Sequence, residues 1–227
     1  AQINPKDTKT LTALALTRVT DGNATQTFDD LRTISAQDDE PYADLALIST
    51  LLRKREFDQA LGAIDALEKK QPGKPLAENL RGRLFLMRGD VAQARSSFER
   101  ALALDPVHIP AVAALADLDM ADKKPEAARK RFDSVLAVDP KNVQALLAVA
   151  GLKARAGASP QETSDALASA IKLNPTEPAP RLVLINHLLA QQDAKAALTA
   201  AQAGVSVLPE NLELVDALGR AQMATGD

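Results

Sequence analysis

The chain has no cysteine and no tryptophan, and aromatic residues make up only 3% of its 227 residues. Without cysteine it can form no disulfide, no catalytic thiol, no iron–sulfur cluster and no thiolate zinc site. Because aromatic side chains are so few, the spaces between structural elements must be filled mainly by alanine, leucine, isoleucine and valine. Small and aliphatic side chains of this kind are typical of closely packed helices.

An excess of positive charge is also lacking. The chain carries 27 lysines and arginines against 30 aspartates and glutamates, which gives a net charge of -3. Binding to a phosphate backbone requires clustered basic residues, so we expect no nucleic acid partner. No apolar run approaches the roughly 20 residues of a membrane-spanning helix, and no signal peptide is recognisable. We therefore expect no membrane span within this sequence.

Groups suited to catalysis are sparse. His108 and His187 are the only two histidines, and neither has a consistent serine or carboxylate neighbour that would make a triad. The run Arg81-Gly82-Arg83 lies inside a predicted helix and is not a phosphate-binding loop. The sequence thus predicts no catalytic residue, no cofactor, no metal site and no enzymatic activity.

What the chain does have is a regular series of prolines. Successive members are separated by 34, 34, 35 and 34 residues, and each closes a stretch rich in alanine and leucine. Proline has no amide hydrogen and disfavours the helical conformation of the residue before it, so each one is expected to end a helix. A period of this length predicts a stack of helical hairpins. The five prolines are Pro72, Pro106, Pro140, Pro175 and Pro209.

The period divides the chain into repeats that share the same internal pattern. A small residue stands at positions 8 and 20, where two helices must approach closely, and a bulky one stands at position 24 to fill the space between them. In the second repeat these are Gly82, Ala94 and Phe98. The predicted repeats are 41–74, 75–108, 109–142, 143–177 and 178–211.

The two ends continue this pattern less regularly. Residues 1–40 are expected to form a divergent hairpin with a turn at 21–23, and residues 212–227 the first helix of a truncated sixth repeat. We expect both ends to be cut from a longer array.

Helix-start signals agree with this division. Asn142 and Asn211 are suited to cap the helices that follow them, because an asparagine side chain can accept a hydrogen bond from a free backbone amide. Ser159 with Glu162 forms the sequence pattern of a capping box, with Pro160 in the first turn.

With small residues at positions 8, 20 and 27 and proline at position 32, the repeats resemble the tetratricopeptide repeat (TPR) over residues 41–227. The resemblance implies an all-α, right-handed superhelical solenoid that binds other proteins or peptides. The chain departs from the family at its aromatic positions 4 and 11, where carboxylates such as Asp44, Glu78 and Asp119 stand instead.

The resemblance also implies where a peptide would bind. The first helix of each TPR lines the concave face, and its positions 2, 5, 9 and 12 commonly contact the ligand. Polar members can hold a carboxylate or an extended backbone, and methionine and leucine provide adaptable apolar contact. Each of these side chains can instead simply pack against the next repeat. The candidates are Leu45, Leu52, Asn79, Arg83, Leu86, Met87, Asp117, Met120, Leu147, Leu182, Asn186 and Arg220.

One specialised role is disfavoured. TPR domains that bind chaperone tails use lysine at position 5 to clamp a terminal carboxylate. In this chain position 5 holds Leu45, Asn79, Ala113, Leu147 and Leu182.

A narrower resemblance covers 67–106 and 139–148, including the runs Ser97-Phe-Glu-Arg-Ala-Leu-Ala-Leu-Asp-Pro106 and Asp139-Pro-Lys-Asn-Val-Gln-Ala-Leu-Leu-Ala148. These stretches look like the long TPR lipoproteins of exosortase/PEP-CTERM sorting systems. That resemblance implies a bacterial envelope protein, in the periplasm or lipid-anchored through a cysteine outside this sequence, that works in protein sorting or exopolysaccharide export. A cytoplasmic location is left open.

Three functions are compatible with these patterns. The favoured one is a scaffold that holds a segment of a partner protein in the concave groove. The second is the substrate-presenting arm of a larger enzyme such as a glycosyltransferase. The third is self-association through the open ends of the solenoid.

Overall fold

The computed structural model describes residues 8–17, 24–37 and 40–226, and over these residues the chain forms thirteen α-helices and no strand. The helices are α1 (Thr8–Thr17), α2 (Ala24–Gln37), α3 (Tyr42–Lys54), α4 (Phe57–Lys70), α5 (Pro75–Arg88), α6 (Val91–Leu104), α7 (Ile109–Ala121), α8 (Pro125–Val138), α9 (Val143–Arg155), α10 (Pro160–Leu173), α11 (Pro178–Ala190), α12 (Ala194–Val207) and α13 (Leu212–Thr225). The predicted all-α class is confirmed.

From α3 to α12 the helices come in pairs of nearly equal length joined by short turns. The pair α3 and α4 lies within 41–74, and α5 and α6 lie within 75–108. Helix α13 lies in 212–227 and has no described second helix after it. The predicted turn at 21–23 lies outside the described residues.

The predicted helix caps are confirmed. The side chain of Asn142 accepts a hydrogen bond from the amide of Ala145 at 3.0 Å, and that of Asn211 accepts one from the amide of Leu214 at 2.9 Å. Ser159 and Glu162 form a complete capping box. Each cap satisfies an amide that the first turn of a helix leaves free, so the positions at which α9, α10 and α13 begin are encoded locally.

The chain divides into two compact units, residues 1–111 and 112–227, and the division falls inside α7. In the first unit the core is built from aliphatic side chains of α2 to α5, among them the fully buried Leu31, Leu51, Ile64 and Leu84. Burying such side chains is the main favourable contribution to folding.

In the second unit, one described cluster, formed by α11, α12 and α13, is built from smaller side chains. Around Ile185 and Leu214, which are both fully buried, this cluster is made of alanines: Ala197, Ala201, Ala217 and Ala221. Because alanine adds little bulk, α11, α12 and α13 can pack with their backbones close together.

Within the first unit, the contact between α5 and α6 follows the predicted small and bulky pattern. Phe98 is completely buried, and its ring lies against Gly82 on the opposite helix. Ala94 is also completely buried. The expected roles of positions 8, 20 and 24 are therefore confirmed in this hairpin.

A carboxylate that stands where the family usually has an aromatic residue is buried in α3. The side chain of Asp44 is only 3% exposed, and its Oδ2 lies 2.7 Å from Nζ of Lys70 on α4. The same ammonium group donates a hydrogen bond to the backbone oxygen of Ser35 on α2 at 2.7 Å. The charge of Asp44 is thus balanced at a point where three helices meet.

Glu78, at the equivalent position in α5, belongs to a larger network of ion pairs. Arg81 donates hydrogen bonds to Glu78 on its own helix and to Asp65 and Glu68 on α4, all at 2.7–2.8 Å. Glu78 Oε2 also lies 3.0 Å from Nη2 of Arg100, in an ion pair without hydrogen-bond geometry. Burial acts to lower the pKa of Arg81, but the hydrogen bonds and the surrounding carboxylates outweigh it and raise the pKa. A third carboxylate of this kind, Asp119 in the second unit, pairs with Arg131.

Candidate functional site

The first unit contains a groove of about 750 Å³ lined by α1, α3 and α5. Concave sites that hold ligands typically have volumes of about 300–1,000 Å³. The lining residues are Leu16, Leu45, Ala46, Ile48, Ser49, Leu52, Arg53, Leu80, Arg83 and Met87. We call this surface the α1–α3–α5 groove.

The walls of the groove are apolar and its charged groups have one sign. Arg53 and Arg83 are both exposed, and neither forms an ion pair or a hydrogen bond with any residue that the structure describes. None of the described lining residues is acidic. Met87, with 48% of its surface exposed, adds a flexible apolar side chain at the rim. The groove therefore offers apolar contact together with two unpaired guanidinium groups.

Four of the predicted peptide-contacting residues come together in this groove: Leu45, Leu52, Arg83 and Met87. Asn79 is placed differently, because it is only 5% exposed and its Oδ1 is buried without a hydrogen-bond partner among the described residues. It lies beneath the surface, where a peptide could not touch it without a local rearrangement.

The other predicted polar residues lie in the second unit and already have partners. Oδ1 of Asn186 accepts a hydrogen bond from Arg220 at 2.9 Å, and Arg220 also binds Asp216 at 3.0 Å. Asp117 lies 3.7 Å from Arg155. A ligand at these positions would have to compete with existing contacts. The remaining predicted residues Leu86, Met120, Leu147 and Leu182 are half-buried.

Sequence reasoning did not select Arg53, Leu16 or Leu80, which also line the groove. For Arg53 a signal was present: it stands at position 13, one helical turn after position 9, and so continues the same helix face. Leu16 lies on α1, outside the regular repeats, and no pattern in its own segment marks it as part of this surface.

Neither a metal-binding cluster nor a membrane-spanning helix is found among the residues that the structure describes. No group of three or more histidines, cysteines, aspartates or glutamates is placed to hold a metal ion within 8–17, 24–37 and 40–226. Among the same residues, no helix is both long and apolar enough to span a bilayer.

Family models agree with the repeat pattern. Two tetratricopeptide repeat models match the chain, one over residues 45–108 and the other over residues 85–150. No curated protein sequence matches the chain significantly.

Solved structures resemble the fold over nearly the whole chain at low sequence identity. The structure of yeast Tom70 matches with a TM-score of 0.69 at 16% identity. The aligned region covers 95% of this chain and 46% of the Tom70 chain. A tetratricopeptide repeat protein from Parabacteroides merdae matches with a TM-score of 0.55 at 15% identity. The aligned region covers 96% of this chain and 86% of the Parabacteroides chain. The Cut9–Hcn1 complex has a TM-score of 0.52 at 15% identity and covers 96% of this chain.

This chain spans only 43% of the matched Cut9–Hcn1 chain and 46% of Tom70. At these identities the likeness concerns the fold alone. Together with the family models it supports a tetratricopeptide repeat protein, and the predicted TPR solenoid class is confirmed. TPR domains generally bind other proteins or peptides, and the fold is typically an interaction scaffold without catalytic activity.

Proposed function

We propose that this chain is a tetratricopeptide repeat scaffold that binds a segment of another protein in the α1–α3–α5 groove. The observation that carries the proposal is the groove itself: it is apolar, large enough for several side chains, and contains unpaired Arg53 and Arg83 on an otherwise closely packed helical unit. A helical or extended segment can bury apolar side chains there while the arginines fix its position.

The wider role that we propose is in a bacterial envelope system for protein sorting or exopolysaccharide export. Its support is the resemblance of residues 67–106 and 139–148 to the TPR lipoproteins of exosortase/PEP-CTERM systems. Fractionation of cells that produce the whole protein tests this role. Recovery in the envelope fraction is expected, and recovery only in the cytosol would contradict it.

Site-specific photo-crosslinking tests groove binding. A photoreactive amino acid at Met87, which is exposed at the rim, is expected to capture a defined partner in cells that express the protein. The same amino acid at exposed Gln93 on α6 serves as the control, because this position does not line the groove. Equal capture of the same proteins at both positions would show that the groove is not the binding surface.

A charged substitution in the apolar wall gives a second test. Leu45 is half-buried and lines the groove, so Leu45→Glu should abolish the crosslink at Met87 by placing a charge among apolar contacts. A thermal melt of the variant shows whether the unit still folds. If Leu45→Glu folds and the crosslink persists, the partner does not use this wall.

A further inference from the structure

No polar contact with the described residues accounts for the two arginines of the α1–α3–α5 groove. Buried carboxylates elsewhere in the first unit are matched by basic groups: Lys70 balances Asp44, and Arg81 and Arg100 balance Glu78. Arg53 and Arg83 take no part in these pairs or in any other polar contact with described residues. They are therefore available to an external group.

Helix electrostatics does not explain both residues. Arg53 lies in the last turn of α3, where a positive charge interacts favourably with the carbonyl end of the helix. Arg83 lies in the middle of α5, where that effect has faded. Arg83 is exposed, and most of the other residues that line the groove with it are apolar.

The surroundings favour an anion. Both guanidinium groups lie on one groove whose described lining has no acidic residue, while the whole chain carries a net charge of -3. A local positive site on a negatively charged protein selects partners by charge complementarity rather than by general attraction. Guanidinium groups bind carboxylates through paired, charge-assisted hydrogen bonds.

The apolar part of the groove indicates what else the partner must carry. Leu16, Leu45, Leu52, Leu80 and Met87 line the same surface as the arginines. A free small anion would leave these side chains in contact with water, whereas a peptide with leucine-like side chains beside its carboxylates would cover them.

We propose that the α1–α3–α5 groove recognises an acidic peptide segment in which aspartate or glutamate is flanked by apolar residues, with Arg53 and Arg83 binding the carboxylates. This inference rests on the proposed scaffold function and specifies the partner of that same site. It differs from a clamp for a terminal carboxylate, because the two basic residues stand at positions 13 and 9 of successive repeats and position 5 is leucine or asparagine.

Selection from a displayed library of random 12-residue peptides provides the first test. Selection on the wild-type protein is expected to enrich peptides that contain both acidic and large apolar residues. Selection on the Arg53→Gln/Arg83→Gln protein is expected to retain apolar residues and lose the acidic enrichment. If the wild-type protein enriches apolar peptides without acidic residues, the acidic specificity is overturned and the scaffold function stands. If it enriches none above an unrelated helical protein, both proposals fail.

Direct binding of one enriched peptide, labelled with a fluorophore, provides the second test. We expect Arg53→Gln and Arg83→Gln each to weaken binding about tenfold, since each removes a charge-assisted contact. Lys54→Gln is the matched control: Lys54 is the exposed neighbour of Arg53, it does not line the groove, and its substitution changes the net charge equally. Equal weakening by Lys54→Gln would overturn the proposed contact by showing only a general charge effect.

The same peptide with its acidic residues replaced by glutamine and asparagine completes the test. This isosteric peptide should bind the wild-type protein about as weakly as the acidic peptide binds the double variant. Affinity that is unchanged by this replacement would overturn the inference, whatever the effect of the arginine substitutions.

Discussion

A β-carbon on Gly82 would lie 2.6 Å from Cε1 of Phe98, closer than two carbon atoms that are not bonded to each other normally approach. The Phe98 ring is completely buried on α6, and it occupies the space that a side chain at position 82 of α5 would need. The two residues are therefore coupled: the glycine is required because the phenylalanine is large.

This coupling predicts that Gly82→Ala destabilises the protein even though alanine favours helices. Moving the ring in a close-packed hairpin should cost more than the gain in helix propensity, so we expect a net loss of about 1–2 kcal/mol in the free energy of unfolding. Gly62→Ala on α4 is the control, because nothing lies within 4 Å of the added carbon. That change should stabilise by about 0.5–1 kcal/mol. Urea unfolding measures both, and changes of the same sign would contradict the prediction.

A second substitution in the same hairpin tests the helix register. Ala94 is completely buried, so Ala94→Leu should overpack the contact and cost about 1–3 kcal/mol. The side chain of the adjacent Gln93 is exposed, and Gln93→Leu should change stability by less than about 0.5 kcal/mol. Thermal unfolding of the two variants provides the measurement. Matching melting temperatures would mean that the two positions are equally exposed.

The buried ion pair of Asp44 and Lys70 predicts strongly non-additive effects. Lys70→Met should cost about 3 kcal/mol, because it leaves a carboxylate that is only 3% exposed without its counter-charge. The double variant Asp44→Leu/Lys70→Met removes both charges and should recover most of that loss. Chemical denaturation of the wild type, the two single variants and the double variant measures the free energies of unfolding that this double-mutant cycle requires. A double variant as unstable as the sum of the single ones would argue against coupling.

His108 predicts a loss of stability on mild acidification. Burial lowers the pKa of His108 from its ordinary value of 6.5, and the nearby Asp105, 3.8 Å from Nδ1, raises it by less. Since the unfolded chain then binds a proton more readily than the folded one, this contribution to stability is complete above pH 6.5 and is lost as the pH falls toward the lower folded pKa. His108→Gln should unfold with a weaker dependence on pH between 5 and 7. If the stability of the wild type and of His108→Gln depends on pH identically, His108 does not cause the loss of stability on acidification.

Much of the fold follows from local signals in the sequence. The prolines, the cap residues Asn142, Asn211 and Ser159, and the small and bulky pattern of Gly82 and Phe98 each act within one or two neighbouring helices. Such contacts are close in sequence, so a period of 34 residues is enough to predict the helices and their pairing.

The candidate site was less predictable, because it depends on which side chains find partners in three dimensions. By sequence, Arg83, Asn186 and Arg220 are equivalent polar groups on first helices. In the structure, Asn186 and Arg220 bind each other, whereas Arg83 is unpaired. Asn79 has the right position in its repeat but is covered by its neighbours. No spacing rule contains this information.

The carboxylates Asp44 and Glu78 also restrict which helices can pack against each other. Their networks join specific helices: Lys70 links α3 and α4 to Ser35 of α2, and Arg81 links α5 to Asp65 and Glu68 of α4. Hairpins of similar shape could otherwise slide past one another or exchange places. A hairpin docked one unit out of line would leave a buried charge alone in apolar surroundings, at a cost that aliphatic contacts could not recover. Within α2 to α5 the charge pairs thus specify which helices pack against each other, a specificity that interchangeable aromatic side chains would not provide.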